Sequence, residues 1–470
     1  MMHRDGAARM MRTSRIMRTL TAGGMMRRLS IMRGKRSSSI LPLDAEEPIP
    51  PRELPGPVSI WSAYGLTANP FFQEELRSDP AAPYPIALHV GRDAEMRLAL
   101  RQLGGGTSSR MIVEGAPGIG KTSFVNKLKA EATRSGMLTH ADPVRIVADS
   151  TVLSFVADVL RVLLRIRTAH ALDGDAFWTR TARLVEGEDT MAGGSTLGPI
   201  GVSYQGGRVP AEAPLGTLYE VIAEGVERVT KDLGAHVLLH VNNLENLGDD
   251  DAKRAARLLR DLRDFMMVAG AHWIFVGASG LDYAVFREYD QIAGIFPHPI
   301  VLEPLSEDEV AELLRRRYEH LAREGSQLVP PVEPRVAADL YGLYRGDLRN
   351  FLRLLSDAAA LALGVEAIEP LSAERIVAVA APRYGRAIER RVGALDYQHL
   401  SRIVSGSGGG EFNVASAAQH AGIGQSGTSR LIARLREAGL VVQVRTEAKR
   451  VFYRPAGQVL VALGLAGADK

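Results

Sequence analysis

Eight residues, Gly115 to Thr122, read GAPGIGKT and satisfy G-x-x-x-x-G-K-[ST] at every fixed position. Each residue type has a task in holding phosphate. Gly115, Gly118 and Gly120 let the backbone bend so that successive N–H groups close around phosphate oxygens, with Ala116, Pro117 and Ile119 completing the loop. Lys121 brings a point charge to the β- and γ-phosphates, and Thr122 offers a hydroxyl to Mg²⁺. Ser123 follows in the next helix. The run Met111-Ile112-Val113-Glu114 just before the loop reads as a buried strand, and Ser123 to Thr133 has helical spacing, with Phe124, Val125 and Leu128 apolar. Strand, glycine loop and the positive end of a helix dipole together make an anion site. The chain is therefore expected to bind a nucleoside triphosphate and Mg²⁺.

Turnover needs more than a grip. The apolar strand His236–Val241 runs into Asn242-Asn243-Leu244-Glu245. P-loop ATPases usually place an Asp here to support Mg²⁺ and then an acid to orient water. Asn can hydrogen-bond a metal-bound water but carries no charge and is a poor base. Glu245 is the nearest acid, so the sequence leaves a binding-only site and a slow hydrolase both open. A strand at Trp273–Val276 ends in GASG, which places Ser279 to sense a γ-phosphate, and Arg287 lies on a short helix beyond it. In YRGDLRNFLRLLSDA, Asp347 caps a helix and Arg349 sits in its first turn. A cation near a positive helix end is mildly unfavourable, and a phosphate partner would offset that.

These residues need a frame. Strands at 111–114, 144–148, 236–241, 273–276 and 299–302 alternate with helices at 123–133, 151–168, 174–186 and 251–269. This pattern predicts a parallel sheet with helices on both faces over 58–304. The segment 191–210 suggests an inserted hairpin carrying Ile200, Val202 and Tyr204. Upstream, Asn69-Pro70-Phe71 makes an aromatic turn, and His89-Val90-Gly91-Arg92 leads into a helix that can fold over the base of a nucleotide. Ser306 and Glu309 form a capping box opening an all-helical segment, 305–391.

From 392 to 466 the pattern changes again. Val414–His420, a tight turn at Gly422–Gly424 and SGTSRLIARLREAG give a helix-turn-helix, and strands at 440–444 and 451–453 add a hairpin, so a winged helix is expected. Leu431, Ile432 and Leu435 point inward on this reading, while Thr428, Arg430 and Arg434 point outward. Ser426 opens the recognition helix, and Arg445, Lys449 and Arg450 lie on the wing. From Leu395 onward there are nine basic and five acidic residues. Double-stranded DNA is the partner this implies.

The overall net charge of +3 hides a division. Residues 1–43 hold ten basic residues against Asp5 alone, which leaves 47 basic and 53 acidic in the rest. Residues 1–57 read as a disordered arm, basic and then Pro-rich, and its charge says nothing about the body. The chain has no cysteine, which excludes disulfides and thiolate metal sites. No apolar run reaches the length of a membrane span, so a cytoplasmic location is expected.

Taken together, the chain resembles the origin-recognition/Cdc-type initiator branch of the AAA+ ATPases, as a divergent member of bacterial type, over about residues 64–465. NPFF and VGR look like that branch's adenine-side motifs, and Lys121 and Thr122 match its P-loop. GASG is similar to sensor one at Ser279, and GDLRNFLRLL to sensor two at Arg349. The resemblance implies ATP over GTP, with Arg287 a candidate finger toward a neighbouring subunit and self-association through the AAA+ domain. Asn242-Asn243 stand where the branch has acids. An ATP-controlled DNA-binding switch is the leading reading. An active oligomeric ATPase that loads or remodels a partner is the alternative. A STAND-type signalling switch, with a winged helix that contacts protein only, is a further alternative.

Overall fold

Met111, Ile112 and Val113 are fully buried, and the sheet is built outward from them. The computed structural model describes residues 60–79, 82–147, 150–170, 176–186, 215–242, 244, 249–363, 368–448 and 450–465. All of these fall in one unit, Val58–Lys470. The arm at 1–57, the hairpin at 191–210, and Asn243, Glu245 and Lys449 lie outside the described residues.

Two helices, α1 (Ile60–Ala63) and α2 (Asp93–Leu103), precede β1 (Arg110–Gly115). Then come α3 (Lys121–Arg134), β2 (Leu138–Thr139), β3 (Val144–Arg145), α4 (Val152–Ala169), α5 (Ala176–Glu186) and α6 (Leu215–Leu233). The domain continues with β4 (Val237–Asn242), α7 (Asp249–Asp261), β5 (Ala271–Gly277), α8 (Asp290–Ala293) and β6 (Ile300–Leu302). The sheet order is β2-β4-β5-β1-β6, with β3 also on β4, and every pairing is parallel. Val113 pairs with Val276 on one side and Ile300 on the other, so β1 is central. The chain leaves β1 for the β2 edge and comes back through β4 and β5. That reversal puts a switch point at the C-terminal end of β1, where parallel sheets hold ligands.

Side chains alternate between the two faces with the period of a strand. Ile112, Leu239, Val241, Trp273 and Phe275 join a core with α4, α5, α6 and α7. Met111, Val113, Leu238, Ile274 and Val276 join a smaller core with α2 and α3. The two cores explain why these strands are nearly continuous in apolar residues.

A helical lid follows: α9 (Glu307–Leu321), α10 (Pro334–Tyr341), α11 (Leu348–Ala362) and α12 (Ala373–Val392). Its start is fixed by the Ser306 and Glu309 capping box, worth about 1 kcal/mol. Its core includes Tyr64, Leu66, Phe71 and Phe72, so the N-terminal aromatic segment packs on the lid. The last part comprises α13 (Ala394–Gly406), β7 (Phe412–Asn413), α14 (Val414–Ala421), α15 (Gln425–Glu437), β8 (Val441–Glu447), β9 (Arg450–Pro455) and α16 (Gly457–Ala462). Its strands pair antiparallel in the order β7-β9-β8, and its own core is built on Leu400, Ile403, Leu431, Ile432 and Leu435.

The structure departs from the sequence reading in three elements. The second strand is two short pieces, β2 and β3, because the chain turns at Ala141 to Pro143 between them. The helix expected over 251–269 ends at Asp261, and a short 3-10 turn at Phe265–Met267 leads into β5. Helix α6 was not anticipated, although Leu218, Ile222, Val226 and Val229 mark a helical stripe that is buried against α4.

Candidate functional site

The loop after β1 has the conformation its glycines allow. Gly118 and Gly120 have φ of 79° and 98°, in the left-handed region that side chains avoid, and Gly120 caps α3. Space excludes a side chain as well, since a Cβ on Gly118 would run into the Asp347 carboxylate. Lys121 is buried, and its Nζ donates to the carbonyls of Gly115 at 3.0 Å and Ala116 at 3.2 Å.

Beside the loop lies a cavity of 340 Å³. Pro117, Gly118, Gly120, Lys121, Thr122 and Ser123 form one wall, and Leu348, Arg349 and Leu352 of α11 form another. The α11 N-terminus is brought there by a tight turn in which Arg345 and Gly346 both have positive φ. The Asp347 side chain then accepts from the Asn350 amide at 3.1 Å, and the Arg349 amide donates to the Gly118 carbonyl at 3.3 Å. The lid helix thus touches the glycine loop directly.

Two buried cations support this site, Arg317, to which the sequence reading gave no role, and Arg92. Arg317 of α9 lines the cavity and lies over the Phe72 ring, 3.7 Å from its centroid. It donates to the carbonyls of Pro70 at 3.1 Å and Phe72 at 2.8 Å, and burial pushes its guanidinium down to about 9. The signal was available: Val310, Leu313, Leu314, Tyr318 and Leu321 make an apolar stripe, and Arg317 is a charge set into it. Arg92 is also buried, at the start of α2. It donates to the Ile119 carbonyl at 2.5 Å. Through Arg92, the Val90-Gly91-Arg92 segment braces the glycine loop, and none of the three residues lines this cavity. The Asn69-Pro70-Phe71 turn is tied to the lid, with Asn69 Nδ2 donating to Ser356 Oγ at 2.9 Å. Next to it, Phe72, Gln73, Glu74 and Glu75 line the cavity.

The remaining predicted residues are more scattered. Gly115, Ala116 and Ile119 shape the loop without lining the cavity. Asn242 ends β4, and its carbonyl accepts from the Ile146 amide at 3.2 Å. Ser279 is exposed in the loop after β5. That loop is held to β1 by Glu114, whose carboxylate accepts from the amides of Gly280 and Asp282, while burial raises its pKa. Ser279, Asn242 and Arg287 do not line the cavity. Arg287 is held by its own chain, paired with Asp282 at 2.9 Å and donating to the Ala293 carbonyl at 2.9 Å. Acting across a subunit boundary would require breaking both contacts.

The cavity accommodates a nucleotide on the chemistry of its walls. Backbone donors of the loop and Lys121 could hold phosphate, Arg349 could add a guanidinium, and Arg317 with Phe72 offers an apolar and cationic end. For Mg²⁺ the wall supplies the Thr122 hydroxyl, with the remaining ligands left to phosphate and water, as is usual for this ion. Among the described residues no group of three His, Asp or Glu side chains could hold a metal ion alone.

Residues 89–276 match the family described as the AAA ATPase domain. The fold is that of an AAA+ P-loop NTPase with a helical C-terminal part, and the match runs from the segment before α2 into β5. No curated protein matches the chain. Among solved structures, it is similar to the Aeropyrum pernix ORC2 protein (ADPNP-ADP complexes), with 14% identity over 85% of this chain and 96% of that one, at a TM-score of 0.46. It is also similar to the Aeropyrum pernix ORC1 protein in complex with DNA, with 17% identity over 81% and 93% of the two chains and a TM-score of 0.40. Cdc6p from Pyrobaculum aerophilum shows 15% identity over 82% and 95%, with a TM-score of 0.39.

Beyond the AAA+ fold, α14 and α15 form a helix-turn-helix. Its surface differs from the expected one at Thr428, which is fully buried and donates to the Gly424 carbonyl at 3.2 Å. It faces inward because it falls three residues before Leu431 and four before Ile432, on the buried stripe of α15. Ser426 and Arg430 are exposed. Arg434 is exposed but holds Asp396 by two bonds of 2.8 and 2.9 Å. On the hairpin, Arg445 pairs with Glu411 at 2.9 Å and with Glu447, while Arg450 is exposed and has no hydrogen-bond or ion-pair partner among the described residues.

No helix among the described residues is long and apolar enough to cross a membrane.

Proposed function

We propose that the chain is an ATP-binding switch that controls contact with double-stranded DNA, with weak or absent hydrolysis. The observation that carries this reading is the position of α11. Its first turn rests on the glycine loop, and the turn leading into it carries the C-terminal module. The Gly457 backbone of α16 lies so close to Tyr344 that a Cβ there would come within 2.7 Å of the ring, and Val461 of α16 belongs to the lid core. A triphosphate drawn between Lys121 and Arg349 would bias the position of α11, and α11 and α16 would move as packed neighbours. ATP and Mg²⁺ are the ligands on this reading, held by Gly118, Gly120, Lys121, Thr122 and Arg349.

The helix-turn-helix and hairpin form the winged helix of the proposal. Its α15 would enter the major groove, with Ser426 and Arg430 toward the duplex and Arg450 on phosphate. Asn242 at the end of β4 supplies no charge, which favours a held nucleotide over rapid turnover. Fluorescence anisotropy with mixed-sequence duplex DNA, with and without ATP, tests the reading. Affinity should change with nucleotide and fall steeply with salt. Arg430→Ala should weaken binding about fivefold, in line with one lost phosphate or base contact. Arg434→Ala should do less, because Arg434 already holds Asp396. DNA affinity indifferent to ATP and to Arg430→Ala would overturn the proposal.

A further inference from the structure

A second cavity, of 210 Å³, lies on the other side of the turn that carries Arg349, between the lid and the C-terminal module. Three guanidinium groups line it: Arg353 of α11, and Arg383 and Arg391 of α12. One acid, Asp357, faces them. It lies 3.7 Å from Arg383 and accepts from the Tyr384 hydroxyl at 3.4 Å. The side chains of Arg353 and Arg391 make no hydrogen bond or ion pair among the described residues. The cavity therefore holds an excess of positive charge that its own acid does not balance. The Tyr344 side chain is 4% exposed, and its hydroxyl lies against the Tyr384 hydroxyl.

We propose that this cavity binds a small phosphate-bearing ligand as a second site, separate from the nucleotide cavity. The charge selects an anion. Guanidinium forks match the paired oxygens of a phosphate. The spacing supports a single site: Asn350, Arg353 and Asp357 fall on one face of α11, as do Arg383, Tyr384 and Arg391 on α12. The volume suits a phosphate or pyrophosphate group. The position is off the α15 surface that would meet a duplex, which favours a small ligand over a DNA backbone. Gln458 of α16 lines the same cavity, so an occupant would tie the lid to the C-terminal module. It would also reach the first site, because Asn350 Nδ2 donates to Asp347 Oδ2 at 2.6 Å and Asp347 caps the helix that carries Arg349. The two sites are therefore coupled, and occupancy of either changes the affinity of the other by the same factor.

Calorimetric titration of the full chain with inorganic pyrophosphate tests this, run in a Lys121→Ala background so that the glycine loop does not contribute. Binding should persist there and should weaken at least tenfold with Arg353→Ala and Arg391→Ala together. If pyrophosphate binding disappears with Lys121→Ala alone, or is untouched by the double arginine change, the second site does not exist. If the arginine pair instead alters duplex DNA affinity and leaves pyrophosphate unaffected, the cluster belongs to a DNA surface and the proposal fails.

Discussion

Strands β1 and β4 run parallel with β5 between them, and they end in different chemistry. β1 is apolar through Met111, Ile112 and Val113 and opens into a glycine loop shaped for an anion. β4 buries His240 in its middle with neither ring nitrogen hydrogen-bonded, and it closes on Asn242, a neutral amide. One strand presents a complete grip. The other carries an uncompensated polar group and no carboxylate at its end. On the proposed reading, holding a nucleotide and activating water fall to different strands of this fold, so one could be kept while the other is lost.

That contrast can be broken at either strand. The largest effect is expected at the end of β1. Lys121→Ala should weaken ATP binding about 100-fold, roughly 2.7 kcal/mol, through loss of a buried charge-assisted contact. Titration calorimetry reads this directly, and near-normal affinity would detach the glycine loop from nucleotide binding.

The next effect concerns β4. Burial pushes His240 down to about 3, with Lys129 adding to the shift. The folded protein keeps the imidazole neutral, whereas the unfolded chain takes up a proton near pH 6.5. Stability from this group is thus complete above pH 6.5 and is lost as pH falls toward the folded value. Between pH 7 and pH 5 the loss is about 2 kcal/mol. Urea denaturation at the two pH values measures it, and His240→Leu should flatten that part of the slope.

Restoring the missing charge asks whether β4 alone limits turnover. Asn242→Asp combined with Asn243→Asp should raise steady-state ATP hydrolysis about tenfold, or ~1.4 kcal/mol in the barrier. An unchanged rate would place the limitation elsewhere. The smallest effect is expected where the lid meets β1. Arg349→Ala should weaken ATP about fivefold and ADP very little, since only ATP carries the third phosphate. Equal losses for both nucleotides would mean that Arg349 is not reading the γ-phosphate.

Much of this was legible before any coordinates. Each feature of the glycine loop depends on neighbours within one strand, one turn and one helix, so spacing and residue type suffice. The same holds for the Ser306 and Glu309 capping box and for the alternation of strands and helices. Thr428 shows where that reading fails. It was assigned to the surface on its polar character, but its place on the buried stripe of α15 and its bond to Gly424 turned it inward. Arg434 and Arg445 were read as cations for DNA, and the fold gives both of them carboxylate partners from other elements.

The sequence alone determined the bend of the glycine loop, the parallel arrangement of strands and the uncharged end at Asn242, because local backbone geometry and side-chain period fix these. Tertiary structure decided which distant residues join the loop. Arg317 reaches Pro70 across 247 positions of chain, and Arg92 reaches Glu303 across 211. It also decided that Asp347 and Arg349 close on Gly118 and that α16 packs against the turn leading into the same helix. No local pattern encodes such meetings. They follow from burying the lid, the N-terminal aromatic segment and α16 in one shared apolar core, where the gain comes from area removed from water and not from any single pair of residues.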